Sequence, residues 1–313
     1  QILPIPMAGA LGRCLGGLRH LIDHRGRELR ATELANLLFK PPASPMADII
    51  ARSYRLDNER LLQSFLYPRL DKSSAARLFR YEGLDILDRT LAAGTGGIIL
   101  LAHYGANQFS IPALGFRGYP INQLGSIPKD WNRLNQIEAS PLQQRIFDLR
   151  LSFEKELPVT FVYLAGSMRP IFECLRRNEL IIFAFDGRAG SKWLDIPVLR
   201  RTMRVSTGPF SLARQTGTPV IPLFMIAGGN GVHTCRIETP YFIAKTADRE
   251  ADLHTGALTF ASLLGSYIEA RPDHYAGLLM EAKKRATVDP TPLFTDYPGT
   301  QCRPKPGTPE AVQ

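Results

Sequence analysis

His103 is the residue with the clearest chemical potential. It stands in Leu100-Leu101-Ala102-His103-Tyr104-Gly105-Ala106-Asn107-Gln108, where a buried apolar run gives way to a glycine-containing turn. Loops at the carboxyl edge of a sheet present reactive groups in that setting, and imidazole changes charge near neutral pH. A plain packing role competes for any isolated histidine, and His233, His254 and His274, without partners nearby in the sequence, read as structural. Arg169, Arg188, Arg200, Arg201 and Arg204 could grip a phosphate through bidentate hydrogen bonds, although surface solvation explains most of them. Thr207-Gly208-Pro209 reads as a helix start whose exposed N–H groups could also stabilise an anion.

Several chemistries are excluded. The chain has no G-x-S-x-G elbow, no G-x-G-x-x-G after a strand and no G-x-x-x-x-G-K-[ST] loop, which argues against a serine hydrolase and against nucleotide binding. The four cysteines, Cys14, Cys174, Cys235 and Cys302, lie far apart without a CxxC pair, so neither a zinc cluster nor a disulfide framework is indicated and a reducing compartment is the default. No metal site is expected. Thirty-eight Lys plus Arg against twenty-nine Asp plus Glu gives a charge of +9, which favours anionic surfaces such as phospholipid headgroups, nucleic acid or an acidic carrier protein. The absence of a basic motif with interleaved aromatics removes nucleic acid from that set.

The elements around His103 alternate. Leu84, Leu87 and Leu91 form a helical face that stops at Gly94, and Gly97-Ile98-Ile99-Leu100-Leu101-Ala102 follows as a buried strand. Similar apolar runs recur at 159–164, 180–185 and 219–226. Between them, Met168, Ile171, Phe172 and Leu175 fall at helical spacing after a capping Ser167, and a helix from Thr207 ends at Gly217. A later helix carries Leu253, Ala257, Phe260, Leu264 and Ile268 on one side and stops before Pro272. The expected fold is therefore α/β, a mixed and mainly parallel sheet covered by helices, with ligands at the strand carboxyl ends.

An N-terminal helical segment precedes this unit. Leu11, Leu15, Leu18 and Ile22, interleaved with Arg13, Arg19 and Arg25, make a basic amphipathic helix, either packed on a core or resting on anionic lipid. A Pro-rich break at 40–45 follows. The expected division is 1–75 helical, with membrane contact as one of its two readings, 76–289 α/β, and 290–313 a loose Pro/Gly-rich tail. About 313 residues suit one α/β domain with a helical appendage, and 44% hydrophobic with 21% charged residues exclude a disordered chain or a multispanning channel. Because residue 1 is Gln, an upstream anchor or signal stays open.

The region around His103 resembles the lysophospholipid acyltransferase superfamily, and within it the late lipid A biosynthesis acyltransferases. The family's first motif is a histidine, four residues and an acid. The likeness continues through Ser167-Met168-Arg169-Pro170, through 178–186 ending in Asp186, and through 207–222, and spans roughly 45–285. It implies transfer of a fatty acyl group from an acyl-carrier-protein or coenzyme A thioester to a hydroxyl, or an amine, of a lipid, glycolipid or lipid-like metabolite. No cofactor is implied beyond that thioester co-substrate. It also implies a peripheral enzyme on the cytoplasmic face of the inner membrane. His103 is then the general base that takes the acceptor's proton as it attacks the thioester carbonyl, and Arg169, Asp186, Arg188, Arg200, Thr207 and Gly208 are the substrate-binding candidates. Phe109, Ile111, Leu114 and Phe116 either line an acyl tunnel or form the core face of the next helix.

Two departures stand out. Gln108 occupies the position of the motif acid, whose role is to hold the imidazole tautomer and stabilise the imidazolium. An amide can orient the ring but supplies no charge, and in serine protease triads an amide for the acid costs roughly 10⁴ in rate. Three accounts are open: an oriented amide suffices for an activated thioester, another carboxylate such as Asp186 supplies the charge, or Gln108 is an inactivating replacement of a native glutamate. Second, Leu199-Arg200 stands where the late acyltransferases show a Phe-Gly pair, which bears on the acceptor rather than on the reaction. The competing function is a catalytically inactive homologue that binds acyl chains or serves as a partner subunit.

Overall fold

The computed structural model describes residues 4–125, 140–163, 168–287, 289 and 291–297. The chain opens with three helices, α1 (Ile5–Ile22), α2 (His24–Leu37) and α3 (Met46–Gln63), and α4 (Lys72–Leu78) leads into β1 (Phe79–Glu82). Then come α5 (Leu84–Ala92), β2 (Gly97–Gly105), α6 (Ser110–Gly115), β3 (Ile121–Gly125), α7 (Pro141–Glu154), β4 (Thr160–Tyr163), α8 (Arg169–Arg176) and β5 (Leu180–Ala184). A hairpin of β6 (Trp193–Val198) and β7 (Arg201–Ser206) precedes α9 (Gly208–Thr216), β8 (Val220–Ile226), β9 (His233–Ile237), α10 (Arg249–Ala270) and α11 (Ala276–Arg285). Ser167, Leu164, Cys302 and most of the expected tail lie outside the described residues.

Seven strands form one sheet in the order β1-β9-β8-β2-β5-β3-β4, every neighbouring pair parallel except β8 and β9. The mixed, mainly parallel sheet expected from the apolar runs is present. Its central strand is β2, buried on both faces. Ile98, Leu100, Ala102 and Tyr104 face a core shared with Phe260 and Leu264 of α10, while Ile99 and Leu101 face another shared with Leu87 of α5 and Leu114 of α6. Leu34 and Leu37 of α2 and Ile49 of α3 belong to the first of these cores.

Two features refine the sequence reading. Of the two settings left open for the leucine face of α1, packing against the protein's own core is not the one observed. Ala8, Gly12 and Gly16 are buried against α3, and a Cβ at Gly16 would stand 2.4 Å from the Tyr54 carbonyl oxygen, so the small residues set the helix–helix distance. Leu11, Leu15, Leu18 and Ile22 are exposed instead. The second lies at residues 291–297. Leu293, Phe294 and Tyr297 are buried in the first core, and Phe294 bridges Met203 of β7.

Candidate active site

Strand β2 positions His103 by losing its regular pairing. It pairs with β8 at Leu101↔Leu223 and next at Gly105↔Met225, so the stretch carrying His103 bulges out of register. Gly105 closes the bulge at φ +60, where a Cβ would lie 2.1 Å from the Met225 carbonyl oxygen. Only glycine fits both constraints. Pairing with β5 ends at Leu101↔Ala184, which leaves the His103 N–H without a sheet partner.

Asp186 takes up that donor. The first turn after β5 aims its carboxylate back at β2, where the His103 backbone N–H donates to Oδ2 at 2.9 Å and to Oδ1 at 3.1 Å. The imidazole Nδ1 meets Oδ1 at 2.7 Å, and the hydroxyl of Tyr275, which follows the short 3₁₀ turn after α10, donates to Oδ2 at 3.0 Å. An ionised carboxylate only accepts, so Nδ1 carries the hydrogen and Nε2 the lone pair. Among the described residues nothing hydrogen-bonds Nε2. The Asp186 side chain is fully buried, whereas 39% of the His103 side chain is exposed. The base is reachable and its counter-charge is not.

The electrostatics follow from that asymmetry. Burial pulls the imidazole pKa down, but the charge and hydrogen bond of Asp186 outweigh it and leave the ring above its ordinary 6.5. Burial would raise Asp186, and the contacts from His103 outweigh it, so the carboxyl lies below 3.8. The positive charge of Arg60 on α3 opposes protonation of the ring, and Glu281 of α11 acts the other way.

The remaining candidates are placed as follows. The hydrogen bonds of Gln108 go elsewhere than the imidazole: its Oε1 accepts from Arg150 of α7 at 3.0 Å and its backbone oxygen from Tyr67 at 2.6 Å. Arg169 is exposed at the start of α8 and paired with Glu173. Arg188 is mostly buried, with one nitrogen donating to Asp289 and Thr291 and two others, Nε and Nη1, without a partner among the described residues. Arg200, in the turn between β6 and β7, is bound to the carbonyls of Leu37 and Phe39. Arg201 pairs with Glu33, and Arg204 with Asp195. The N–H groups of Thr207 and Gly208 are engaged by the Lys192 carbonyl and the Ser206 hydroxyl.

Phe109 and Leu114 are buried in the second core, with Ile111 and Phe116 packed against it. His274 is buried, its Nδ1 on Asp273 and its Nε2 accepting from the Ala227 N–H. His233 is buried against Phe109, and His254 is exposed. Cys14, Cys174 and Cys235 are free thiols, and among the described residues no His, Cys, Asp and Glu group is arranged for a metal. Sequence reasoning missed Tyr275 and Arg60, whose proximity to His103 comes only from the packing of α3 and of the turn after α10.

The sequence profile for bacterial lipid A biosynthesis acyltransferases matches residues 1–284. This chain belongs to that family. Among curated proteins, a phosphatidylinositol mannoside acyltransferase of Mycobacterium tuberculosis is 26% identical over 221 residues, covering 69% of this chain and 66% of the relative. One from Mycolicibacterium smegmatis is 25% identical over 232 residues, covering 72% of each chain. The match thus spans just under two thirds of the M. tuberculosis protein's length.

Proposed function

We propose that this protein is an acyltransferase that moves a fatty acyl group from an acyl-carrier-protein or coenzyme A thioester to a hydroxyl of a lipid or glycolipid, with His103 as general base. The observation that carries this reading is the 2.7 Å contact between the His103 Nδ1 and a fully buried Asp186. It fixes the tautomer, leaves Nε2 free to accept a proton, and supplies the negative charge that Gln108 lacks. Family membership and the acyltransferase names of the relatives support the same chemistry. The acceptor proposed from those names is a lipid A precursor or a phosphatidylinositol mannoside.

Nε2 removes the acceptor proton while the hydroxyl oxygen bonds to the thioester carbonyl carbon. The C–S bond then breaks, and the imidazolium returns the proton to the leaving thiolate. Tyr275 and the His103 N–H keep Asp186 ionised and aligned throughout.

We further propose a peripheral membrane site of action, on the cytoplasmic face. Among the described residues no helix is long and apolar enough to cross a membrane. On α1, Met7, Leu11, Leu15, Leu18 and Ile22 are exposed along one side, and α7 exposes Leu142, Ile146 and Leu149. Exposed apolar stripes of that kind, on a chain of charge +9, suit an anionic lipid surface.

The deciding experiment incubates purified protein with palmitoyl-coenzyme A or acyl carrier protein and each acceptor lipid, with products read by mass spectrometry. Acylated lipid with release of free thiol is expected, and His103→Ala abolishes it. Acyl-chain binding without transfer, unchanged in His103→Ala, would instead identify a non-catalytic homologue.

A further inference from the structure

A base that must become a cation is hindered by a cation beside it. Yet Arg60 approaches His103 closely, its Nη1 lying 3.5 Å from the His103 carbonyl oxygen. Its carboxylate neighbour is Asp57, at 3.8 Å, and Asp57 is held more tightly by Arg30 at 2.7 Å. The Arg60 charge is therefore weakly compensated, in a side chain only 18% exposed. Around the imidazole the charges are Asp186 on the Nδ1 side, Arg60 from α3 and Glu281 from α11, with the Tyr275 hydroxyl on the carboxylate. When the ring takes a proton, it and Arg60 are two neighbouring cations, and Asp186, the one carboxylate hydrogen-bonded to the ring, lies on the Nδ1 side. A negative oxygen formed next to Arg60 offsets that repulsion directly.

Resting on the acyl-transfer reading above, we infer that Arg60 is a catalytic residue whose guanidinium stabilises the oxyanion of the tetrahedral intermediate. As the acceptor oxygen bonds to the carbonyl carbon and its proton passes to Nε2, the carbonyl π pair moves onto oxygen. That oxyanion meets Arg60. Collapse restores the carbonyl, expels the thiolate, and the imidazolium protonates the sulfur. The donor's own phosphate is a poor alternative occupant, because the pantetheine arm places many bonds between it and the reacting carbon. A phosphate of the acceptor is the remaining competitor.

The test compares Arg60→Gln and Arg60→Lys with wild type and His103→Gln, each shown to be folded by circular dichroism and thermal melting. Asp57 keeps its Arg30 partner in both Arg60 variants. Two reactions are followed: transfer to the acceptor lipid, and hydrolysis of palmitoyl-coenzyme A by water without acceptor. Removing an oxyanion donor lowers kcat by roughly 10²–10³. Arg60→Gln is expected to lose that much in both reactions with KM little changed, and Arg60→Lys to recover part of it. Full activity of Arg60→Gln overturns the inference, as does a loss confined to transfer with a raised acceptor KM, which would assign Arg60 to the acceptor phosphate. If His103→Gln is also fully active, the base assignment itself fails.

Discussion

The proposed role of His103 as a base and the stability of the fold make opposite demands on the His103–Asp186 pair. The raised ring pKa means that the imidazolium's contribution to folding is complete below 6.5 and is lost as pH rises through the higher folded value. The depressed Asp186 contributes above 3.8, and that contribution is lost as pH falls through its folded value. The charged pair is most stabilising between those limits, whereas proton abstraction requires the neutral ring. The rate should therefore climb with pH on an acidic limb whose midpoint exceeds 6.5, read from kcat/KM in a series of buffers. Asp186→Asn removes the charge that holds the ring up and leaves burial to dominate. The limb should move to lower pH while kcat drops by roughly 10⁴, as when a protease triad loses its acid; an unmoved limb would show that Asp186 does not govern the base. Gln108→Glu tests the motif position. Because the amide faces Arg150, a glutamate there forms a partly exposed ion pair worth at most about 1 kcal/mol and leaves the pH profile in place. A large gain in kcat would instead mean that position 108 reaches the ring.

What brings these residues together is the behaviour of strand ends, and it can be probed at Gly105. Alanine there meets the Met225 carbonyl and a positive φ, so Gly105→Ala should lower the unfolding free energy by about 1–3 kcal/mol in urea titrations and reduce activity by displacing His103. An unaltered midpoint would mean that the bulge tolerates a side chain. The strands β2, β5 and β8 are legible in the sequence because parallel strands buried on both faces are unbroken apolar runs. Strands β6, β7 and β9 alternate polar and apolar residues over most of their length, and β3 is interrupted by Asn122 and Gln123; those weaker patterns led to no expectation. Asp186 could be named as a possible charge donor, but its partner lies 83 residues away and their meeting depends on β2 lying beside β5. No local pattern encodes strand order. For α1 the periodicity identified two faces correctly and could not say which looks inward; Gly12 and Gly16, four apart, were the available signal.

At the scale of the whole molecule, the question is why a protein this size leaves so much aliphatic surface uncovered. Glycine packing turns one side of α1 into α3 and leaves Leu15 at 46% and Leu18 at 56% exposure on the other. In water those side chains gain nothing, whereas burying a leucine is worth about 1.5–3 kcal/mol. Cys14, Arg13 and Arg55 lie beside the same stripe, in a groove between α1 and α3 with Leu18 on its wall, so apolar and cationic groups sit together as an anionic bilayer surface requires. The double variant Leu15→Glu, Leu18→Glu should keep its melting temperature, because neither residue supports the core. Its partition onto vesicles containing anionic phospholipid should fall at least about tenfold, since even half of one leucine's transfer energy, with added charge repulsion, reaches about 1.4 kcal/mol. Raising salt should weaken wild-type binding only in part, because the apolar share is unscreened. Equal sedimentation of wild type and variant with those vesicles would remove α1 from the proposed membrane contact and leave the exposed face of α7 as the surface to test.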